Sequence, residues 1–290
     1  MDGIILVDKP KGWTSHDVVS KLRKQLNIKR IGHTGTLDPM ATGVLVVCLG
    51  NATKFVKYLS DHDKEYFAEV TLGISTNTDD ITGEITEETQ VTHLDVDVLV
   101  NALNSFVGTI KQVPPVASAI KINGKRAYKF IHKNQEAPIM TPREVTIHDI
   151  NLVNEPSFIN EKCRFTIHVE CSKGTYIRSL ARDIGNALKI PATLSNLRRT
   201  RVGQFLVKDA LPINEITVDQ VQLINPIHHL GFQEISIDDE YLFKVSNGAF
   251  LPSGLFPNYH ETIVCDKMGT PLAIYTYDQT KNIMRLSVLL

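Results

Sequence analysis

Apolar residues run without a break through Ile4-Ile5-Leu6-Val7 and through Val44-Leu45-Val46-Val47-Cys48-Leu49, which predicts two short buried strands. From Glu65 to Gly73 the pattern changes to alternation. Tyr66, Ala68, Val70 and Leu72 fall on one face and Phe67, Glu69 and Thr71 on the other, so this strand should bury one side only. The same period places Cys163, Phe165, Ile167, Val169 and Cys171 on a core face, and Arg143 to Val153 reads as a further strand. Helical spacing appears three times. Val18, Val19, Leu22 and Leu26 follow a capping box at Thr14-x-x-Asp17; Leu99, Ala102, Leu103 and Phe106 lead to Gly108; Ile177, Leu180, Ala181, Ile184 and Leu188 form a third stripe.

From Leu211 onward the texture shifts. Pro212, Pro226, Gly231, Pro252, Gly254, Pro257, Gly269 and Pro271 punctuate short segments, with strands predicted around Ile263 to Cys265, Leu272 to Tyr277 and Met284 to Val288. The chain therefore divides into a large domain, 1–234, and a small β-rich domain, 235–290.

With 42% hydrophobic and 22% charged residues in 290, the sequence has the balance of an ordinary globular protein with a sizeable core. Met1-Asp2-Gly3-Ile4 lacks a basic region followed by a long apolar stretch, and no apolar run approaches membrane-spanning length. A cytoplasmic protein with no membrane partner is expected. Cys48, Cys163, Cys171 and Cys265 are far apart and read as reduced thiols, and the ten histidines show no ligand spacing, so no metal is expected. The net charge of −1 hides a segregation of charge. Lys111, Lys121, Lys125, Arg126, Lys129 and Lys133 form one acid-free stretch, and Lys189, Arg198, Arg199, Arg201 and Lys208 another. Asp79 to Asp97 carries seven acids and no Lys or Arg. Basic stretches sharing a face would follow a phosphate backbone, although each would also serve as a solvated surface.

The most heavily specified loop is Gly32 to Gly43, G-H-T-G-T-L-D-P-M-A-T-G, with Pro39 pushing Asp38 toward extended backbone. It holds one acid. Neither the carboxylate pair of a glycosidase, the ligand spacing of a calcium loop, a Walker loop nor a dinucleotide fingerprint is present. Asp38 is a lone nucleophile or base, or simply part of an Asp-Pro turn.

Four stretches in order resemble the motifs of the TruB family of tRNA pseudouridine synthases, which isomerise the T-loop uridine numbered 55. They are Lys9-Pro10-Lys11-Gly12-Trp13-Thr14-Ser15, the Gly32–Gly43 loop, Lys64-Glu65-Tyr66 with the polar stretch Gly73 to Gly83, and Lys173-Gly174-Thr175-Tyr176-Ile177-Arg178. The resemblance implies an α+β protein: a pseudouridine synthase fold with a mixed, largely antiparallel sheet flanked by helices, plus a C-terminal PUA-like RNA-binding domain. It implies that Asp38 is catalytic, that Arg178 pairs with it, that Tyr66 stacks on the target base and that Leu197 lines the base pocket. His33 is expected against the T-loop, and Lys9 is expected to be structural or to face phosphate. Lys121, Lys125, Arg126, Lys173, Arg198 and Arg199 are the remaining expected RNA contacts, and the acids of Thr76 to Gly83 are expected to be structural. An RNA-clamping insertion is expected at about 121–142, where Ile131-His132 and Asn134 depart from the family's usual Ala-Arg pair and glycine. The substrate implied is the T-arm of tRNA, handled by a monomer with no cofactor, no metal and no obligate protein partner. Three other readings are open: a tRNA-folding protein without catalysis, a guide-RNA-dependent synthase, and a small-molecule α/β enzyme.

Overall fold

The capping box predicted at the first helix forms. Thr14 Oγ1 accepts from the Asp17 amide at 3.0 Å and Asp17 Oδ2 accepts from the Thr14 amide at 2.8 Å. In the computed structural model, which describes residues 1–118, 139–258 and 260–290 and the backbone of 121–122 and 125–126, this helix is α1 (Ser15–Gln25), preceded by β1 (Gly3–Lys9). The strands β2 (Ile31–His33) and β3 (Thr42–Leu49) come next in the chain, and β1 and β3 pair antiparallel from Gly3 opposite Leu49 to Lys9 opposite Gly43. Val18, Val19, Leu22 and Leu26 of the helix stripe meet Ile5, Val7, Leu45, Val47 and Leu49 in one buried cluster.

A short helix α2 (Val56–Leu59) leads into β4 (Lys64–Leu72), and β5 (Ile74–Thr76) with β6 (Ile85–Glu88) makes a small antiparallel hairpin. Helix α3 (Val96–Asn104) and β7 (Gly108–Gln112) come next, then the two-residue strands β8 (Lys121–Ile122) and β9 (Lys125–Arg126), which pair with each other. The first unit continues with β10 (Arg143–Leu152), β11 (Ser157–Ile159), β12 (Lys162–Cys171) and α4 (Ile177–Leu188). It then adds β13 (Ala192–Val202), β14 (Phe205–Leu206) and β15 (Leu211–Pro212).

The main sheet has the strand order β15-β1-β3-β13-β4-β12-β10-β7, with β2, β14 and β11 paired to β3, β13 and β12. Among the described strands of this sheet only β1/β15 and β3/β13 pair parallel, so the sheet is mixed and largely antiparallel, as expected. Its alternating strands bury the predicted face. Tyr66, Ala68, Val70 and Leu72 of β4 and the five odd-numbered residues of β12 lie under Leu99 and Leu103 of α3 and Ile177, Leu180, Ala181 and Ile184 of α4. The other face is charged: Glu65 accepts from Arg201 Nε at 2.9 Å and Thr200 Oγ1 at 3.0 Å, and lies 3.0 Å from His168 Nε2. All four cysteines are buried and free.

The register of β13 draws the polar residues of this sheet together. β13 crosses between β3 and β4, setting Arg199 opposite Gly43 on one side and opposite Tyr66 on the other. Residues far apart in sequence thus converge at one end of the sheet.

The first compact unit is Met1–Asn225 and the second Pro226–Leu290, so residue 235 falls inside the second unit's first strand, β16 (Gln233–Ser236). That unit continues with α5 (Asp239–Ser246), β17 (Leu251–Pro252), β18 (Thr262–Cys265), β19 (Pro271–Asp278) and β20 (Ile283–Leu289). Its sheet order is β16-β18-β19-β20-β17, around a core of Ile237, Val245, Leu251, Val264, Tyr275 and Met284. Fully buried Tyr275 donates its hydroxyl to the Ala249 carbonyl at 2.9 Å, as a buried phenol requires. No helix among the described residues is long and apolar enough to cross a membrane.

Candidate active site around Asp38

The loop between β2 and β3 is held from behind by α1 and by the turn that precedes it. Leu37 donates its amide to Ser15 Oγ at 2.8 Å and accepts from it at 3.2 Å, and the Gly12 amide donates to the Pro39 carbonyl at 2.7 Å. Leu37, Met40 and Ala41 are buried as anchors, while Asp38 and Thr36 between and beside them reach the cavity. Gly43 closes it at φ +108°, with its α-carbon pressed against β13. A Cβ there would lie 2.1 Å from the Arg199 carbonyl oxygen, so no other residue fits.

Arg178 enters from the first turn of α4. That turn is fixed by Gln112, whose Oε1 accepts from the Tyr176 amide at 2.8 Å and whose Nε2 donates to the Tyr176 carbonyl at 3.1 Å. Arg178 is 4% exposed and presents the side of its guanidinium to Asp38: Nε lies 2.9 Å from Oδ2 and Nη2 donates to Oδ1 at 3.1 Å. The remaining N–H groups donate to the Thr78 carbonyl at 3.0 Å and the Ala117 carbonyl at 2.8 Å, and Nη1 stands 3.6 Å from Asp80 Oδ2. The arginine is thereby fixed on every side, in a fork geometry a lysine does not have.

Asp80 is the second carboxylate of this constellation. Its Oδ1 accepts from the Thr82 amide, the Thr82 hydroxyl and the Thr78 hydroxyl, leaving Oδ2 toward Arg178. The loop that carries it is docked on β13 by the Ile81 amide donating to the Leu194 carbonyl at 2.9 Å. Neighbouring Asp79 pairs with Arg182 Nη1 at 2.7 Å.

Two opposed effects act on Asp38. Burial raises its carboxyl above the ordinary aspartate value and the Asp80 charge adds to that, while Arg178, and more weakly Lys9, pull it down; the net direction is upward. The side chain is still 31% exposed, and that exposed part is open to a cavity of about 320 Å³. Tyr66, Leu197, Lys64, Tyr176 and Arg199 line the same cavity, whose size lies in the range of small-ligand sites. Burial pushes the Tyr66 phenol to about 12, against the opposing pull of the Arg199 guanidinium, so Tyr66 is a neutral ring at physiological pH.

The structure therefore brings Asp38, Arg178, Tyr66 and Leu197 around one cavity. It places other expected residues elsewhere. Lys9 is fully buried, with Nζ donating to the carbonyls of Pro10 at 2.9 Å, Trp13 at 2.6 Å and Pro39 at 3.5 Å. Arg199 is 2% exposed and donates to Val44 and Gly35 carbonyls at 2.9 and 3.1 Å. It braces the Asp38 loop through these carbonyls. Arg198 is half-exposed and pairs with Asp8 at 2.8 Å, and Lys173 is exposed and pairs with Asp61 at 2.7 Å. His33 lies on β2 outside the cavity lining; burial lowers its pKa, and its buried Nδ1 has no hydrogen-bond partner among the described residues. The side chains of Lys121, Lys125 and Arg126, and most of the insertion expected at about 121–142, lie outside the described residues. Among the described residues no group of three or more potential ligands could hold a metal.

Sequence reasoning gave the acids of Thr76 to Gly83 a structural part without joining Asp80 to Arg178, and it missed the carbonyls of Thr78 and Ala117 and the Gln112 clamp. Gln112 carried no signal except its place beside Val113-Pro114-Pro115.

Residues 23–177 match the profile of the TruB family pseudouridylate synthase N-terminal domain, and residues 178–229 that of the tRNA pseudouridylate synthase B C-terminal domain. The chain is 42% identical to tRNA pseudouridine synthase B of Bacillus pumilus, over 98% of this chain and 96% of that protein. It is likewise 42% identical to the protein of that name from Bacillus anthracis, over 96% and 93%. Among solved structures, a chain of a Cbf5-Nop10-Gar1 complex aligns with a TM-score of 0.69 at 26% identity, covering 95% of this chain and 78% of that one. A chain of an H/ACA RNP bound to a substrate RNA containing 2'-deoxyuridine aligns with a TM-score of 0.68 at 24% identity, over 99% and 83%, and shares the fold.

Proposed function

The chain belongs to the TruB family of pseudouridylate synthases, and from that premise we propose that it converts uridine 55 in the T-loop of tRNA to pseudouridine, with Asp38 as the reacting carboxylate. The reaction breaks the bond from ribose C1′ to uracil N1 and forms one from C1′ to C5, while C5 gives up a proton and N1 gains one. Product and substrate are isomers, so the atom and electron balance closes without a second reactant.

The observation that carries this reading is the Asp38–Arg178 pair standing in a cavity of nucleotide-binding size between Tyr66 and Leu197. A base stacked in a folded T-loop cannot reach a carboxylate in such a cavity, so the target nucleotide is extruded; unstacking costs on the order of a few kcal/mol, which protein contacts offset. Arg178 favours the ionised carboxylate and fixes its orientation. The neutral Tyr66 ring supports the extruded base, and Leu197 excludes water while the detached uracil turns. His33 fills the gap left in the RNA stack. Arg198, Lys173 and the basic segment 121–126 follow the phosphate backbone, supplying affinity that depends on salt. The C-terminal unit acts as a PUA-like RNA-binding module. The enzyme works in the cytoplasm as a monomer on tRNA alone.

The test is tritium release from an unmodified tRNA transcript labelled at uridine C5, with purified protein and no other RNA or protein. Near-stoichiometric release is expected, and none from a transcript in which cytidine replaces the T-loop target. A transcript that binds tightly yet releases nothing would overturn the stand-alone reading in favour of a guided or folding protein.

A further inference from the structure

Lys64 is a buried cation that the proposed reaction does not use. It stands two residues before Tyr66 on β4, so the two side chains leave the same face of the strand, and both line the cavity. It is 8% exposed. An ammonium taken out of water needs both its donors and its charge met. Two of its three N–H groups donate to the carbonyl oxygens of Ser60, at 2.8 Å, and His62, which satisfy donors but do not neutralise charge. Among the described residues it forms no ion pair. The acids that act on it electrostatically are the Cys171 thiol, which burial pushes to about 12 and so keeps neutral, then exposed Asp61 and half-buried Asp63, each of which stands against another group, Lys173 at 2.7 Å and His148 at 3.2 Å. The other described cations of the cavity are committed, Arg178 to Asp38 and two carbonyls and Arg199 to two carbonyls. Lys64 retains both a donor and an uncompensated charge.

We propose that Lys64 binds a backbone phosphate of the nucleotide that enters the cavity, an inference that rests on the pseudouridine synthase reading of the site. A phosphodiester carries the full negative charge that the carbonyl oxygens of uracil lack, and it is the anion every incoming nucleotide brings. Position agrees with this. The carboxylates that act on Lys64 are Asp61 and Asp63, whereas those of Arg178 are Asp38 and Asp80, so Lys64 meets the cavity apart from the reacting carboxylate. The base lies on Tyr66 and its phosphate comes to the residue two positions earlier on the same strand.

The test is a chemical double-mutant cycle. Transcripts carrying one neutral methylphosphonate, on either the 5′ or the 3′ side of the target uridine, are compared with the all-phosphodiester transcript in single-turnover reactions of wild type and Lys64→Met. One of the two methylphosphonates is expected to slow wild type by on the order of ten-fold or more, as loss of a charge-assisted hydrogen bond does. Lys64→Met is expected to lose a similar factor on the normal transcript and nothing further on the modified one. Indifference of wild type to both methylphosphonates, or losses that multiply independently, would mean that Lys64 only holds the Ser60–His62 turn. Should Lys64→Met fail to fold, as judged by its thermal unfolding, Lys173→Met on the exposed rim decides. Sensitivity that survives in Lys173→Met upholds Lys64, and sensitivity that vanishes there transfers the phosphate to Lys173. Failure of wild type on the all-phosphodiester transcript would instead count against the reaction assigned to the site.

Discussion

Arg178 grips Asp38 side-on, Nε at 2.9 Å from one carboxylate oxygen and Nη2 at 3.1 Å from the other, while two backbone carbonyls and Asp80 hold the guanidinium from behind. The carboxylate is thus charged by its partner and aimed by the partner's surroundings. Removing either member therefore has different consequences.

Asp38→Ala is expected to abolish tritium release while leaving tRNA binding within a few-fold of wild type, because phosphate contacts supply most of the affinity. Filter binding beside the release assay checks this. Parallel loss of binding and turnover would make Asp38 a structural residue.

Arg178→Lys keeps a positive charge but loses the fork. Charge-assisted hydrogen bonds are worth about 1.5–3 kcal/mol, so kcat is expected to fall on the order of 10²-fold. Single-turnover kinetics should place the loss in kcat rather than in tRNA affinity. A variant within two-fold of wild type would show that charge alone suffices.

Burial raises the Asp38 pKa, and activity needs the ionised form. The acid limb of kcat/KM should therefore fall at higher pH than the ordinary aspartate value of 3.8, since protonation sets in earlier on lowering the pH. Asp80→Asn removes a neighbouring negative charge that adds to the rise, so its limb should move to lower pH. A pH–rate profile of both proteins tests the sign, and an upward shift in Asp80→Asn would contradict it.

Glu65 behaves oppositely. Burial would raise its pKa, but hydrogen bonds from Arg201, His168 and Thr200 outweigh that and hold it at about 2. A depressed folded-state pKa contributes stability above the unfolded value of 4.5 that is lost as pH falls toward 2. Glu65→Gln is expected to cost on the order of 1–2 kcal/mol near pH 7, after allowance for solvent screening. The deficit should shrink below pH 4.5. Denaturant melts at three pH values would show it, and a deficit independent of pH would count against the charge network.

Gly43→Ala sets a Cβ 2.1 Å from the Arg199 carbonyl at φ +108°. The strain should cost about 3 kcal/mol or more and loosen the β3–β13 contact that shapes the cavity. Thermal unfolding and tRNA turnover should both suffer. An unchanged melting temperature would mean the loop can shift freely.

Local chemistry in the sequence was enough for much of this protein. The alternation of β4 and β12, the stripes of α1, α3 and α4 and the Thr14-x-x-Asp17 box are properties of neighbouring residues, and they formed as the pattern predicts. The Asp38 loop was conspicuous because glycine, proline and anchoring apolar residues all had to be present to shape it. What tertiary structure alone decided is which charges are interior. Arg199 belongs to a basic stretch and reads as an RNA contact, and Lys9 reads as structural or phosphate-facing, yet both lie on inward strand faces, Lys9 after Ile5 and Val7 and Arg199 after Leu197. Period-two alternation already placed them there, but a buried cation is costly unless specific carbonyls meet it, and no sequence shows those carbonyls. Arg178 and Asp80 met only because β13 lies between β3 and β4 and carries the Asp80 loop with it. Sequence sets faces through local periodicity, whereas a site assembled across strands depends on long-range register, which arises only when the whole sheet closes.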